Sequence, residues 1–122
     1  MKSNNLKTNK VVLNTNDGFI CISLDDILYV KSSNHYCFLY TNNNEEIKIA
    51  TPLKQLENIF DNKYFYRCHR SYIVNLNYIN MINTKTSIIY LVNEKEVPLS
   101  RRNKSELIKY LKETYNQNPS ED

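Results

Sequence analysis

A chain of 122 residues, 41% apolar and 24% charged, has the makings of one globular domain with room for a real core. Its formal charge of +3 is mild. No apolar run approaches the roughly 18 residues of a membrane span, and residues 1–10 lack the apolar segment of a signal peptide. Three cysteines, Cys21, Cys37 and Cys68, form an odd set without paired or metal-type spacing. That points to reduced thiols in the cytoplasm and away from a disulfide framework or a zinc site.

Along the chain, β-prone runs alternate with turn signals. Asn16-Asp17-Gly18, with the only glycine, predicts a hairpin joining residues 10–14 to 19–23. Ser23 followed by Leu24, Asp25 and Asp26 offers an N-cap and early acids, enough for one helical turn. Residues 27–31 read as a strand and residues 32–34 as a turn. Residues 35–41 alternate, with Tyr36, Phe38 and Tyr40 on one face and His35, Cys37 and Leu39 on the other. Asn42-Asn43-Asn44 turns the chain into residues 45–50. Thr51 as N-cap and Pro52 as first helical residue predict a helix to about residue 59, ended by Asp61-Asn62. Leu53, Leu56, Ile59 and Phe60 would lay one face of it on a sheet.

Residues 65–76, Phe-Tyr-Arg-Cys-His-Arg-Ser-Tyr-Ile-Val-Asn-Leu, place a polar centre, 67–71, between two apolar flanks that read as strands. Strands at 79–82, 87–92 and 96–99 follow, with turns at 83–86 and 93–95. Ser100 reads as the N-cap of a last helix with the stripe Leu107, Ile108 and Leu111. Residues 1–9 are expected to be flexible, 10–115 to form the domain, and 116–122 to be a frayed acidic tail. Nineteen asparagines against one glycine predict that Asn fills turn positions often given to glycine. The fold expected is mostly β, with about nine or ten short strands and two or three short helices.

The chemistry lies in the arginines. All four stand in two short segments, Arg67 with Arg70 and Arg101 with Arg102, while the twelve lysines are scattered. Residues 64–104 hold seven Lys/Arg against two acids, and residues 113–122 hold three acids and no base. Arginine presents a planar fork of donors suited to phosphates and guanine edges. Arg101 and Arg102 precede a helix, where cations gain nothing from the dipole. Two contact points on an anion, foremost a nucleic acid, account for this distribution. His69 and Cys68 do not make a catalytic pair, because neighbours on a strand point to opposite faces and no acid orients the imidazole. With no acid–base constellation and no glycine-rich phosphate loop, the chain reads as a non-enzyme without cofactor or metal. Cys68 reads as an inward apolar group, or as an oxidisable thiol if Arg67 and His69 lower its pKa. Asn75 reads as satisfying backbone groups at a turn. Ten tyrosines, most in apolar alternation, offer an alternative reading, a β module stacking single-stranded nucleic acid.

The block Tyr66-Arg-Cys-His-Arg-Ser-Tyr-Ile-Val-Asn75, followed in order by Val97-Pro-Leu-Ser-Arg-Arg102, resembles the LytTR DNA-binding domain family, with similarity running from about residue 11 to 111. The resemblance implies an elongated stack of small antiparallel sheets. It also implies sequence-specific binding of double-stranded DNA, with loops entering successive major grooves, for transcription regulation. The implied base readers are His35 and Arg102 toward opposite ends, with Arg70 between them. Arg101, Arg67, His69, Asn34 and Lys31 complete the candidate DNA-binding set, Asn34 and Lys31 on phosphates and Arg67 either on phosphate or orienting its loop. Such domains are C-terminal outputs of bacterial response regulators in two-component systems, downstream of a receiver domain and a sensor kinase. This chain is too short to hold a receiver as well, so it is expected to be such an output domain or a free-standing regulator. A monomer in solution and a tandem pair on direct repeats are expected.

Overall fold

The alternation read in residues 35–41 governs the central layer. Cys37, Leu39 and Thr41 are buried, and Tyr36, Phe38 and Tyr40 face the other way, half-buried. The computed structural model describes residues 9–60 and 63–116. Of the segments expected to be flexible, 1–9 and 116–122, only Asn9 and Asn116 are described, and the helix stop at Asp61-Asn62 lies outside the described residues.

Among the described residues, ten strands form three antiparallel sheets. β1 (Lys10–Thr15) and β2 (Gly18–Ser23) make a two-stranded hairpin. β3 (Ile27–Ser33), β4 (Tyr36–Thr41), β5 (Glu46–Ile49), β6 (Phe65–His69) and β7 (Tyr72–Asn75) pair in the order β5-β4-β3-β7-β6. β8 (Ile79–Asn83), β9 (Ile88–Leu91) and β10 (Glu96–Pro98) pair in the order β10-β9-β8. The helices α1 (Leu53–Ile59) and α2 (Lys104–Tyr115) complete the described residues. The expected stack of small antiparallel sheets is thus the one observed.

Two cores result from the period-two pattern of the central sheet. Val30, Leu39 and Ile73 point to one side, where Leu13 of β1 and Leu53, Leu56 and Phe60 close the first core. Val74 and Cys68 point to the other, where Ile89, Leu91, Val97, Leu99 and Leu107 close the second. The asparagine expectation holds: Asn34, Asn44 and Asn93 take positive φ of 56°, 65° and 63°, a region their short polar side chains tolerate. Asn75, buried, donates from Nδ2 to the Ile27 carbonyl at 2.9 Å and accepts from the Asn77 amide at 3.0 Å, so it satisfies backbone groups as read.

Helix starts differ from the sequence reading. Pro52, not Thr51, is the N-cap of α1. Its carbonyl accepts from Gln55 and Leu56, while Thr51 turns inward and is buried. Ser100 does not cap α2. A 3₁₀ turn, Arg101–Asn103, intervenes, and neither Ser100 nor Asn103 makes a side-chain cap. The Ser100 amide is drawn instead to the Cys68 carbonyl at 2.8 Å. On α2, Tyr110 and Leu111 join Leu107 against the second core, whereas Ile108 lines a shallow outer groove with Ser105, Lys109 and Lys112.

Cys68 is fully buried, and burial pushes its thiol up to about 12 despite the flanking Arg67 and His69. This overturns the idea of a lowered pKa. Cys37 is also buried with its thiol raised by burial, and only Cys21 is exposed. At neutral pH a thiol reagent should therefore label Cys21 and spare the other two until the chain is unfolded. Burial likewise pushes Tyr29 up to about 12. Folded Cys68 and Tyr29 keep protons that the unfolded chain sheds from roughly pH 8.5–10. A proton surplus in the folded state lowers stability as pH rises. The urea midpoint should thus be insensitive to these groups below about pH 8.5 and fall progressively toward pH 12. A midpoint unchanged at pH 10.5 would contradict this.

Candidate nucleic-acid interface

The strand order brings the polar turns to one end of the central sheet. β3 ends at Ser33 and returns through Asn34 and His35 into β4. β7 runs antiparallel to β3, with Lys31 opposite Tyr72, and the Ser32 amide donates to the Ser71 carbonyl at 2.8 Å. The β6–β7 turn, Arg70-Ser71, therefore stands beside the β3–β4 turn. Beyond β6, the Ser100 amide and Asn103 Nδ2 bond the carbonyls of Cys68 and Arg67, at 2.8 and 3.3 Å. This sets the Arg101–Asn103 turn next in the row. Hydrogen bonds thus link the His35 turn to the Arg70 turn, and β6, which leads into the Arg70 turn, to the Arg102 turn. At about 4.8 Å between strands, adjacent hairpin turns stand about 10 Å apart.

Lys31, Asn34, His35, Arg70, Arg101 and Arg102 are all exposed. Among the described residues, the one ion pair recorded is Arg67 with Glu57, at 2.9 Å. The guanidinium groups of Arg70, Arg101 and Arg102 carry no ion pair there. Lys104, by contrast, is committed: its Nζ donates to the Thr84 carbonyl at 2.7 Å.

The polar centre 67–71 is mostly strand. Only Arg70 and Ser71 form the turn, and Arg67 to His69 belong to β6. Arg67 is not an exposed cation at this end. Its Nη1 bonds Glu57 of α1, its Nη2 donates to the Arg70 carbonyl, and its Nε is buried. His69 Nδ1 accepts the Ser71 amide at 3.1 Å, and its ring meets Tyr72 edge-on at 5.6 Å. Both side chains brace the Arg70 turn. Sequence reading missed Glu57 and Asn103. Asn103 follows the arginine pair directly and could have been picked out as a turn residue. Glu57 carries no local signal, because its role exists only once α1 packs beside β6.

The tyrosines do not form an open platform. Tyr29 and Tyr40 stack at 4.5 Å with Tyr72 tilted beside them at 6.2 Å, but Tyr29, Tyr66 and Tyr72 pack against the second core. Tyr66 is further committed by donating to Glu106 Oε1 at 2.6 Å. A stacking surface for single strands would need these rings free.

Comparison with known proteins gives the same frame. The family model described as the LytTr DNA-binding domain matches residues 17–112. Accessory gene regulator protein A of Staphylococcus aureus strain N315 is 31% identical over 103 residues, covering 84% of this chain and 42% of that protein. The protein of the same name in Staphylococcus epidermidis is 29% identical over 103 residues, with the same coverage. The chain thus spans less than half the length of these curated relatives. A solved LytTr DNA-binding domain from Bacillus cereus, described as part of a methyl-accepting/DNA response regulator, superposes with a TM-score of 0.72 at 29% identity. That match covers 86% of this chain and 97% of the solved one. The family match begins at the turn of the first hairpin and ends within α2, enclosing every turn of the polar row; the chain belongs to the LytTR DNA-binding domain family.

Proposed function

We propose that this chain binds double-stranded DNA sequence-specifically and regulates transcription, through the row of turns carrying His35, Arg70 and Arg102. The observation that carries this is the convergence of those three turns on one end of the sheet, with cations left unpaired by the described residues. Arginine forks suit guanine O6 and N7. Lys31, Asn34 and Arg101 flank the readers and hold phosphates. His35 and Arg102, at the ends of the row, reach toward successive major grooves, with Arg70 over the segment between. Grooves on one face of a duplex recur every ~34 Å, whereas the row of turns spans only roughly 20 Å from the strand spacing. Extended side chains cover part of the difference. The duplex must bend toward the domain for the rest, at a cost of order 1–6 kcal/mol.

The chain acts as a cytoplasmic output domain of a response regulator, downstream of a receiver domain and a sensor kinase, or as a free-standing regulator. It is monomeric alone and pairs in tandem on direct repeats. Binding, not catalysis, is its activity. A single-stranded partner is the less favoured reading, since the tyrosines it would need are packed.

Fluorescence anisotropy against duplex and single strands, over a range of salt, tests this. The duplex should be preferred, and log K should fall linearly with log salt at a slope of about −0.9 per neutralised phosphate, for about four to seven contacts. A flat salt dependence, or stronger binding to the single strand, would overturn the proposal. Sedimentation showing a stable micromolar dimer without DNA would overturn the monomer.

A further inference from the structure

We infer that Arg67, Glu57 and Asn103 form a yoke that fixes the separation and direction of the Arg70 and Arg102 turns, so that Arg67 is a positioning residue and makes no contact with DNA. The inference rests on the DNA-binding reading above.

The yoke is built on a β-bulge. In the β6–β7 pairing, Tyr66 opposes Val74 and His69 opposes Tyr72. Arg67 and Cys68 therefore stand together opposite Ile73 alone. A bulge bends its strand and releases backbone groups from the ladder. Here the two released carbonyls are used at once: that of Arg67 accepts from Asn103 Nδ2 and that of Cys68 from the Ser100 amide. The Arg101–Asn103 turn is thus tied at both ends to two consecutive residues of β6. The same two-residue bulge sends the Arg67 guanidinium to the other turn, where Nη2 holds the Arg70 carbonyl. Nη1 is anchored on Glu57. Both arginine-bearing turns hang from one point of the sheet, and α1 steadies that point from outside.

The chemistry argues against Arg67 as a phosphate ligand. Two of its nitrogens are occupied, the third is buried, and Glu57 neutralises its charge. Turning the group out to grip a phosphate with its fork would give up the bonds to Glu57 and the Arg70 carbonyl. The pair is 30% and 40% exposed at its two side chains, so it is screened and adds little to folding. What the fork supplies is geometry: one rigid group spanning a carboxylate and a carbonyl, which a lysine ammonium on a flexible stem does not reproduce.

The test uses the whole chain and a duplex that the wild type selects from a randomised pool, beside an unrelated duplex of equal length. Arg67→Met, Glu57→Ala and Asn103→Ala are measured alone and combined with Arg70→Ala or Arg102→Ala. Each yoke variant should bind the selected duplex about tenfold more weakly, bind the unrelated duplex within about twofold of wild type, and keep the wild-type salt slope. Losses should not add. Once Arg70 is replaced, Arg67→Met and Glu57→Ala should cost little more, and Asn103→Ala should cost little more once Arg102 is replaced. Should Arg67→Met fail to fold, Glu57→Ala, on an exposed helix face, carries the same measurements. A salt slope reduced by about one for Arg67→Met, equal loss on both duplexes, or additivity with Arg70→Ala would make Arg67 a phosphate contact and overturn the yoke while leaving the DNA-binding reading standing. A wild-type chain that selects no duplex overturns that reading and the yoke with it.

Discussion

Arg102→Ala should weaken binding to a specific duplex about 5- to 150-fold, the value of one bidentate arginine–guanine contact of roughly 1–3 kcal/mol, and relax the preference at one base position. Arg102 sits exposed in the 3₁₀ turn before α2, without an ion pair among the described residues, on a segment bonded to β6 at both ends. A long side chain on a fixed base loses less entropy on binding than one on a mobile loop. Arg70→Ala should behave in the same way, since its turn is braced by Arg67 and His69. His35→Ala should have the smallest effect of the three, since among the described residues its turn has no brace comparable to the one Arg67 and His69 give the Arg70 turn. Lys109, exposed on the outer groove of α2, is the control, and its replacement should be near neutral. All four variants should melt as the wild type does, because exposed side chains of this kind rarely contribute more than about 0.5 kcal/mol to folding. Early melting with normal binding of the refolded arginine variants would make these arginines structural and remove them from the site.

The second large effect is on stability. Leu107→Ala should cost about 2–5 kcal/mol, the range for truncating a fully buried leucine. For a domain of this size that lowers the melting temperature by roughly 3–6 °C per kcal/mol. Leu107 is the only buried residue of α2 and has no exposed surface. The helix has 12 residues and no side-chain N-cap, so it is marginal by itself and depends on docking. Because α2 begins directly after the Arg101–Asn103 turn, loosening it should also weaken specific DNA binding in the folded fraction. Ile108→Ala, one residue along, should cost less than about 1 kcal/mol, since it removes surface from an outer groove and adds a better helix former. Equal losses at the two positions would show that the helix packs on a different face.

The sequence by itself determined what local chemistry can determine. Period-two alternation placed Cys37 and Leu39 opposite Tyr36, Phe38 and Tyr40, and they are opposite. Asparagines marked turns at 34, 44 and 93 because their side chains tolerate positive φ. The confinement of arginine to two segments marked the candidate contacts, since fork geometry is a property of the residue and not of its neighbours. What only the tertiary structure decided depends on residues far apart in the chain. The order β4-β3-β7-β6 sets the turn at 34–35 beside that at 70–71, and no local pattern encodes which strands pair. Tertiary bonds also overrode helix-cap preferences at Thr51 and Ser100, one buried and the other drawn by its amide to Cys68. Cys68 is flanked by Arg67 and His69 in sequence, but folding buries it completely, and burial alone sets the direction of its thiol's shift. Arg67 looked like another free arginine until α1 supplied Glu57 and the bulge aimed the guanidinium at Arg70. Side-chain type was legible in the sequence. Which cations remained uncommitted was not, because a charge is claimed or left free only by the partners that folding brings to it.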